Sequence, residues 1–259
     1  MNTGILVYCI ANTIDENTFN IYGLDGINKL YLINNENLYA IVSDVDLDEY
    51  SEEKMAGKGE DINWLKEKAT DFMNVILEIN SVIDIIPMKF LTIFTDSEHV
   101  KNMISDNSKL FAETFVKIIG NEEMSVKIYC DLKKYKDSCM DEEIKNFEKI
   151  LVGKSKGAAF FLKKKFESEL DDKIQAKVYK IVNGIIDKVS AVAAETKSNK
   201  ILAKEITGIN IPMISNYAFL IKKENKELFK EQIDVSISDY EKSGLTIEMT
   251  GPWPPYSFC

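Results

Sequence analysis

From Met124 to Thr250 the apolar residues change their spacing in a fixed order, and that order constrains this 259-residue chain more than any other feature. Strand-like "MSVKIYCDL" comes first, then a long helical region running through "VSAVAAE", strands "ILAKEI" and "YAFLIKK", helix "KELFKEQIDVSISDY" and strand "LTIEM". β-branched and aromatic residues suit a pleated, half-buried surface, whereas apolar repeats at three and four residues mark a helix with one buried face. The order is β-α-β-β-α-β, that of a ferredoxin-like split βαβ domain in which two helices cover one face of a four-stranded antiparallel sheet. Within the long helix, Leu162, Phe166, Leu170, Ile174, Val178, Ile181, Ile185, Val189 and Val192 follow one another in steps of four or three. At about 1.5 Å per residue this stretch spans roughly 50 Å, more than one such sheet covers, so part of it is expected to project. The spacing lies slightly above 3.6, and packing on the other domain and a partner-binding coiled coil both stay open.

The first half reads differently. "GILVYCI" is a buried strand, and "KLYLI" and "LYAIVS" form a hairpin across "NNEN". The acidic stretch "DVDLDEYSEEKMAGKGED" reads as a solvated loop, followed by a helix on Ile62, Leu65, Ala69, Phe72, Met73, Ile76 and Ile79 with Asp61 as its cap. "VIDIIPMKFLTIF" reads as a strand bending at Pro87. Thr95 and Glu98 have capping-box spacing for a second helix, whose face from Val100 to Ile118 stops at Gly120. The expected fold class is α+β with two domains, an N-terminal α+β domain over 1–121 with an antiparallel sheet and a C-terminal modified ferredoxin-like domain over 122–259 with a long helix.

Composition narrows the function classes. The net charge is −10 and all 32 basic residues are lysine. Without arginine there is no bidentate fork for phosphate, and an acidic surface repels nucleic acid, so no nucleic-acid partner is expected. The opening apolar run is too short for a signal peptide and no stretch is long enough to cross a bilayer, so no membrane partner is expected and the chain is placed in the cytoplasm. Cys9, Cys130, Cys139 and Cys259 form no CxxC pair, and Cys9 and Cys130 read as apolar strand residues.

No catalytic constellation emerges. The single histidine, His99, lies in the first turn of a helix with no nucleophile motif near it. "GKS" at Gly153–Ser155 resembles the end of a phosphate-binding loop, but Glu148 stands where that loop needs glycine and the segment before it reads as helix. "GKG" at Gly57–Gly59 is a short glycine pattern in an acidic loop. The carboxylate pairs at Asp141–Glu143 and Asp171–Asp172 lie on solvated helix faces. No enzyme activity, cofactor or metal is expected.

The chain closes on "GPWPPYSFC", which gathers three of its five prolines and one of its two tryptophans. Proline fixes φ and removes amide donors, so this tail is expected to leave the last strand and continue as a stiff, extended segment. Gly251, Pro252, Trp253, Pro254, Pro255, Tyr256 and Phe258 are therefore the candidate functional residues, either as a pre-organised partner-binding element or as a brace docked on the other domain.

"GPWPPYSF" after a strand resembles the C-terminal signature of the gas vesicle GvpF/GvpL family. "VYCI", "LYAIVSDV", "IIPMKFLTIF", "EMSVKIY", "GAAFFLKKK" and "NYAFLI" match further landmarks of that family in order, so the resemblance covers nearly the whole chain. Two departures stand out. Family members commonly have an arginine and then Phe-Gly-Thr where this chain reads Lys89, Phe90, Leu91 and Thr92, and often a histidine near Phe72. Leu91 is read as a buried strand residue. The resemblance implies a two-domain protein with a non-enzymatic role in gas vesicle assembly and nucleation. It would bind the hydrophobic major gas vesicle shell protein, and other gas vesicle accessory proteins, and limit shell-protein aggregation, in the cytoplasm and at the gas-facing surface of the shell. The alternatives are an adaptor that joins accessory proteins without shell contact, and an enzyme with an unrecognised carboxylate or lysine site.

Overall fold

A computed structural model of the protein describes residues 2–14, 20–50 and 62–259. The expected cap Asp61 and the glycines Gly57–Gly59 lie outside the described residues. Contacts divide the chain into two compact units, Met1–Glu123 with Pro252–Cys259, and Met124–Gly251.

The first unit is built on β1 (Thr3–Ala11), flanked by the hairpin β2 (Tyr31–Asn35) and β3 (Leu38–Asp46) on one side and by the short strands β4 (Ile85–Pro87) and β5 (Ile93–Phe94) on the other, all antiparallel. A bulge between Val7 and Cys9 breaks the β1 alternation. It places Tyr8 and Cys9 on the same face, with Leu6 and Ala11, while Val7 and Ile10 serve the other. Both faces are buried. One packs on α2 (Ile62–Asn80) through Phe72, Val75, Ile76 and Ile79, the other on α3 (Ser97–Asp106) and α4 (Ser108–Ile118) through Val100, Ile104, Phe111 and Phe115. A four-residue helix, α1 (Leu47–Tyr50), follows β3.

The second unit carries the expected order. Its sheet runs β7 (Glu195–Ser198), β8 (Met213–Lys222), β6 (Asn121–Cys130), β9 (Leu245–Trp253), which is the strand order of a ferredoxin-like sheet. One cluster joins Val126, Ile128 and Phe219 of the sheet to Leu170, Ile174 and Ile185 of the long helix α7 (Lys156–Ser190) and to Phe229 and Ile233 of α9 (Lys226–Tyr240). Two short helices, α5 (Leu132–Cys139) and α6 (Asp141–Leu151), precede α7.

Several local expectations are corrected. "ILAKEI" is not a strand: Ile201 and Ile206 are exposed, a short helix α8 (Lys204–Thr207) occupies part of it, and the edge strand is the polar "ETKS". The run "VIDIIPMKFLTIF" is strand only at Ile85–Pro87 and Ile93–Phe94, because Leu91 has a left-handed φ of 64° and the chain turns between β4 and β5. The single helix expected between Thr95 and Gly120 is two, broken at Asn107. Its start is capped by Asp96, whose side chain accepts from the amides of Glu98 and His99, and not by Thr95. Finally, β9 runs on through Pro252 to Trp253. A strand at the edge of its sheet tolerates a residue with no amide donor.

Candidate functional site

The tail "GPWPPYSFC" does not remain extended. After β9 it turns, with the Tyr256 amide donating to the Pro254 carbonyl at 2.7 Å and the Phe258 amide to the Pro255 carbonyl at 3.0 Å. Pro254 and Pro255 are buried and Phe258 is 2% exposed, whereas Gly251, Pro252 and Trp253 face solvent. The Tyr256 hydroxyl donates to the Met88 carbonyl at 3.1 Å, on the turn that contains Leu91. Burial among apolar neighbours raises the Tyr256 phenol well above its usual pKa. Glu123, itself 6% exposed, accepts two hydrogen bonds from Ser257, at 2.8 Å from the amide and 2.6 Å from the hydroxyl. Lys117 lies over the Phe258 ring at 5.9 Å. All these partners belong to the first unit.

Tyr256 also packs against the cluster that contains Tyr8. The Tyr8 hydroxyl is within 2.9 Å of the Ser43 hydroxyl and accepts from the Leu24 amide at 2.7 Å, and its ring stacks on Phe72. Gly23 makes this approach possible, since a Cβ there would meet the Ser43 oxygen at 2.5 Å. Burial pushes the Tyr8 pKa up to about 12. Cys9 and Cys130 are both fully buried in strands, and burial raises both thiols, Cys130 to about 11.

A second apolar surface lies at the α6–α7 turn. Ile150, Val152, Phe160 and Phe161 are 57%, 80%, 72% and 70% exposed. The turn itself is well defined: Gly153 supplies a φ of 79°, and the Ser155 side chain caps α7 by accepting from the Ala158 amide. Below it, Phe147 and Phe166 stack at 3.8 Å with rings nearly parallel, and Lys177 pairs with Glu143 at 2.9 Å.

Three surface groups among the described residues are shifted toward their charged forms. Hydrogen bonds from the His99 backbone and ring lower Asp96, the Lys177 ammonium lowers Glu143, and the Asp141 carboxylate raises Lys145. Each shift favours the charged form on the surface, the opposite of what a general acid or base needs near neutral pH. His99 is a surface residue held by Asp96 at 2.8 Å, in the first turn of α3 as read. A groove of about 450 Å³ beside α7 is lined by Val178, Tyr179, Val182, Ile201, Ile214 and Ser215 with several amide side chains.

A family model described as gas vesicle synthesis protein GvpL/GvpF matches residues 4–259. The chain belongs to this family. Among its relatives are gas vesicle protein L of a Streptomyces, 21% identical over 88% of this chain and 82% of that protein, and gas vesicle protein L of Haloferax mediterranei, 24% identical over 90% and 71%. Gas vesicle protein F of a Nostoc is 26% identical over 68% of this chain and 69% of its own length. The crystal structure of GvpF from Anabaena aligns over 99% of this chain and 95% of its own with a TM-score of 0.72 at 19% identity, and GvpF from Microcystis aeruginosa over 98% of both with 0.67 at 16%. The fold of this GvpF/GvpL protein is that of the solved GvpF structures, and membership in the family gives it an accessory role in gas vesicles. No described helix is long and apolar enough to cross a membrane.

Proposed function

We propose that this GvpF/GvpL protein assists gas vesicle assembly and nucleation, without enzymatic activity, by binding the hydrophobic major shell protein and limiting its aggregation. The observation that carries this reading is membership of the whole chain in the gas vesicle family. The physics fits. A shell subunit waiting to assemble exposes apolar surface and strand edges, the features that drive uncontrolled association. A protein of net charge −10 that covers them reversibly keeps the complex dispersed. The protein acts in the cytoplasm and at the gas-facing surface of the shell, as two domains joined near residue 121.

Within this reading the tail is an anchor of the first unit and not the shell contact. Its most apolar ring, Phe258, is buried, and its polar groups are taken up by Glu123 and Met88. Co-purification with the major shell protein, expressed in the same cells, tests both statements. The intact chain is expected to retain the shell protein. A chain ending at Thr250, where it stays folded, is expected to retain it too; loss of binding by that folded, shortened form would make the tail a contact element. No retention by either form would reject shell binding in favour of an adaptor between accessory proteins.

A further inference from the structure

We propose that the α6–α7 turn docks on an acidic surface of the shell protein that also carries apolar side chains, an inference that rests on the shell-binding reading above. Between Glu148 and Glu167 the chain holds six lysines and no carboxylate, in a protein whose net charge is −10. That stretch also presents the four exposed apolar side chains Ile150, Val152, Phe160 and Phe161. Lys154, Lys156, Lys163 and Lys164 have no carboxylate within ion-pair distance among the described residues. The positive end of the α7 dipole adds to the same field. A cationic, apolar knob on an acidic protein complements a partner with carboxylates around an apolar recess. The lysines steer the encounter, and burial of the two phenylalanine rings then holds the complex.

The arrangement of the two kinds of side chain selects a protein partner. A helix that lies on a lipid surface segregates its apolar residues on one face and its lysines on the other. Here they are mixed: Phe160 lies three and four residues before Lys163 and Lys164, and Phe161 three and four before Lys164 and Lys165, so each ring shares a face with two lysines. Lys165 also pairs with Glu169 at 3.7 Å. The support is rigid, because the capped turn and the Phe147–Phe166 stack fix the knob before a partner arrives.

The test is co-purification of the full chain with the major shell protein, comparing wild type with Phe160→Ser/Phe161→Ser and with Lys163→Glu/Lys164→Glu. The substituted side chains are exposed, so circular dichroism and the melting temperature should not change. Each double variant is expected to lower the retained shell protein by about tenfold, and raising salt to about 0.5 M is expected to weaken the wild-type complex. Wild-type retention by both folded variants would overturn the docking surface while leaving shell binding intact. No retention by wild type would overturn shell binding and this proposal together. Phenylalanine-dependent binding to phosphatidylglycerol vesicles, or phenylalanine-dependent dimerisation of the chain alone, would assign the knob to a different occupant and overturn it.

Discussion

"PWPPYSF" at the end of the chain and "GAAFFL" at the start of α7 are both aromatic stretches next to a proline or glycine, yet their rings meet opposite environments. Phe258 is 2% exposed and Phe160 is 72% exposed. The tail follows a strand whose last residues already belong to the first unit, and it finds there a carboxylate, a carbonyl and an apolar cluster that take up its groups one by one. The α7 stretch lies before Phe166, the first residue of that helix to pack on the second unit's cluster. Aromatic content therefore does not identify a contact surface. What decides is whether the surrounding fold supplies partners for the rings.

The largest effect should come from the tail. Phe258→Ala removes a fully buried ring and is expected to lower stability by roughly 3–5 kcal/mol, read as an earlier urea transition. Phe160→Ser/Phe161→Ser should stay within about 0.5 kcal/mol of wild type by the same measurement. Equal losses from the two would break the comparison. Next in size is Glu123→Gln, which keeps the side-chain shape but replaces a charged acceptor for both Ser257 bonds. Hydrogen bonds to charged groups are worth about 1.5–3 kcal/mol, and a loss of that order in urea unfolding is expected; no loss would mean that the buried apolar groups of the tail and the Tyr256–Met88 bond hold it without Glu123.

Tyr8 sharpens the comparison from beneath the tail, since it belongs to the cluster against which Tyr256 packs. Tyr8→Phe leaves the buried Leu24 amide without its acceptor, at an expected cost of about 1–2 kcal/mol at neutral pH. The pH dependence has a definite sign. Burial holds the folded-state pKa at about 12, above the ordinary tyrosine value of 10.0, so the folded state keeps the proton longer. The stability tied to this proton is complete below the unfolded pKa and is lost as pH rises from 10.0 through about 12. The variant should show a shallower loss in alkaline unfolding, and an unchanged slope would place the titration elsewhere.

Much of the fold was legible in the sequence because periodicity carries it. Helix α9 spans the residues its spacing indicates, and the β-α-β-β-α-β order holds. The edge strand β7 escaped because "ETKS" has no apolar alternation, while the more apolar "ILAKEI" is exposed. The bulge in β1 escaped for a related reason, since "ILVYCIA" is apolar on both faces and hides a break in phase. At the candidate sites, composition singled out the aromatic tail, but the burial of Phe258 and the exposure of Phe160 depend on residues far away in sequence, such as Glu123 and Met88 for the tail.

Among the residues around the tail, the smallest net effect is expected at Leu91, on the turn that receives Tyr256. It sits where family members commonly have glycine, and its φ of 64° is one that leucine adopts only at a cost of about 1–2 kcal/mol. Leu91→Gly should relieve that strain, but it also removes a half-buried side chain worth about 1 kcal/mol and raises the entropy of the unfolded chain by roughly as much. These terms nearly cancel, and the net change in urea unfolding is expected within about 1 kcal/mol of zero. In an ordinary half-buried strand there would be no strain to relieve, and the same substitution would lose about 2 kcal/mol or more. A near-neutral result with shell-protein retention unchanged would fit a turn that holds the tail and nothing else. A loss of retention at unchanged stability would make this turn a contact surface, and would move the tail region to the exposed side of the comparison.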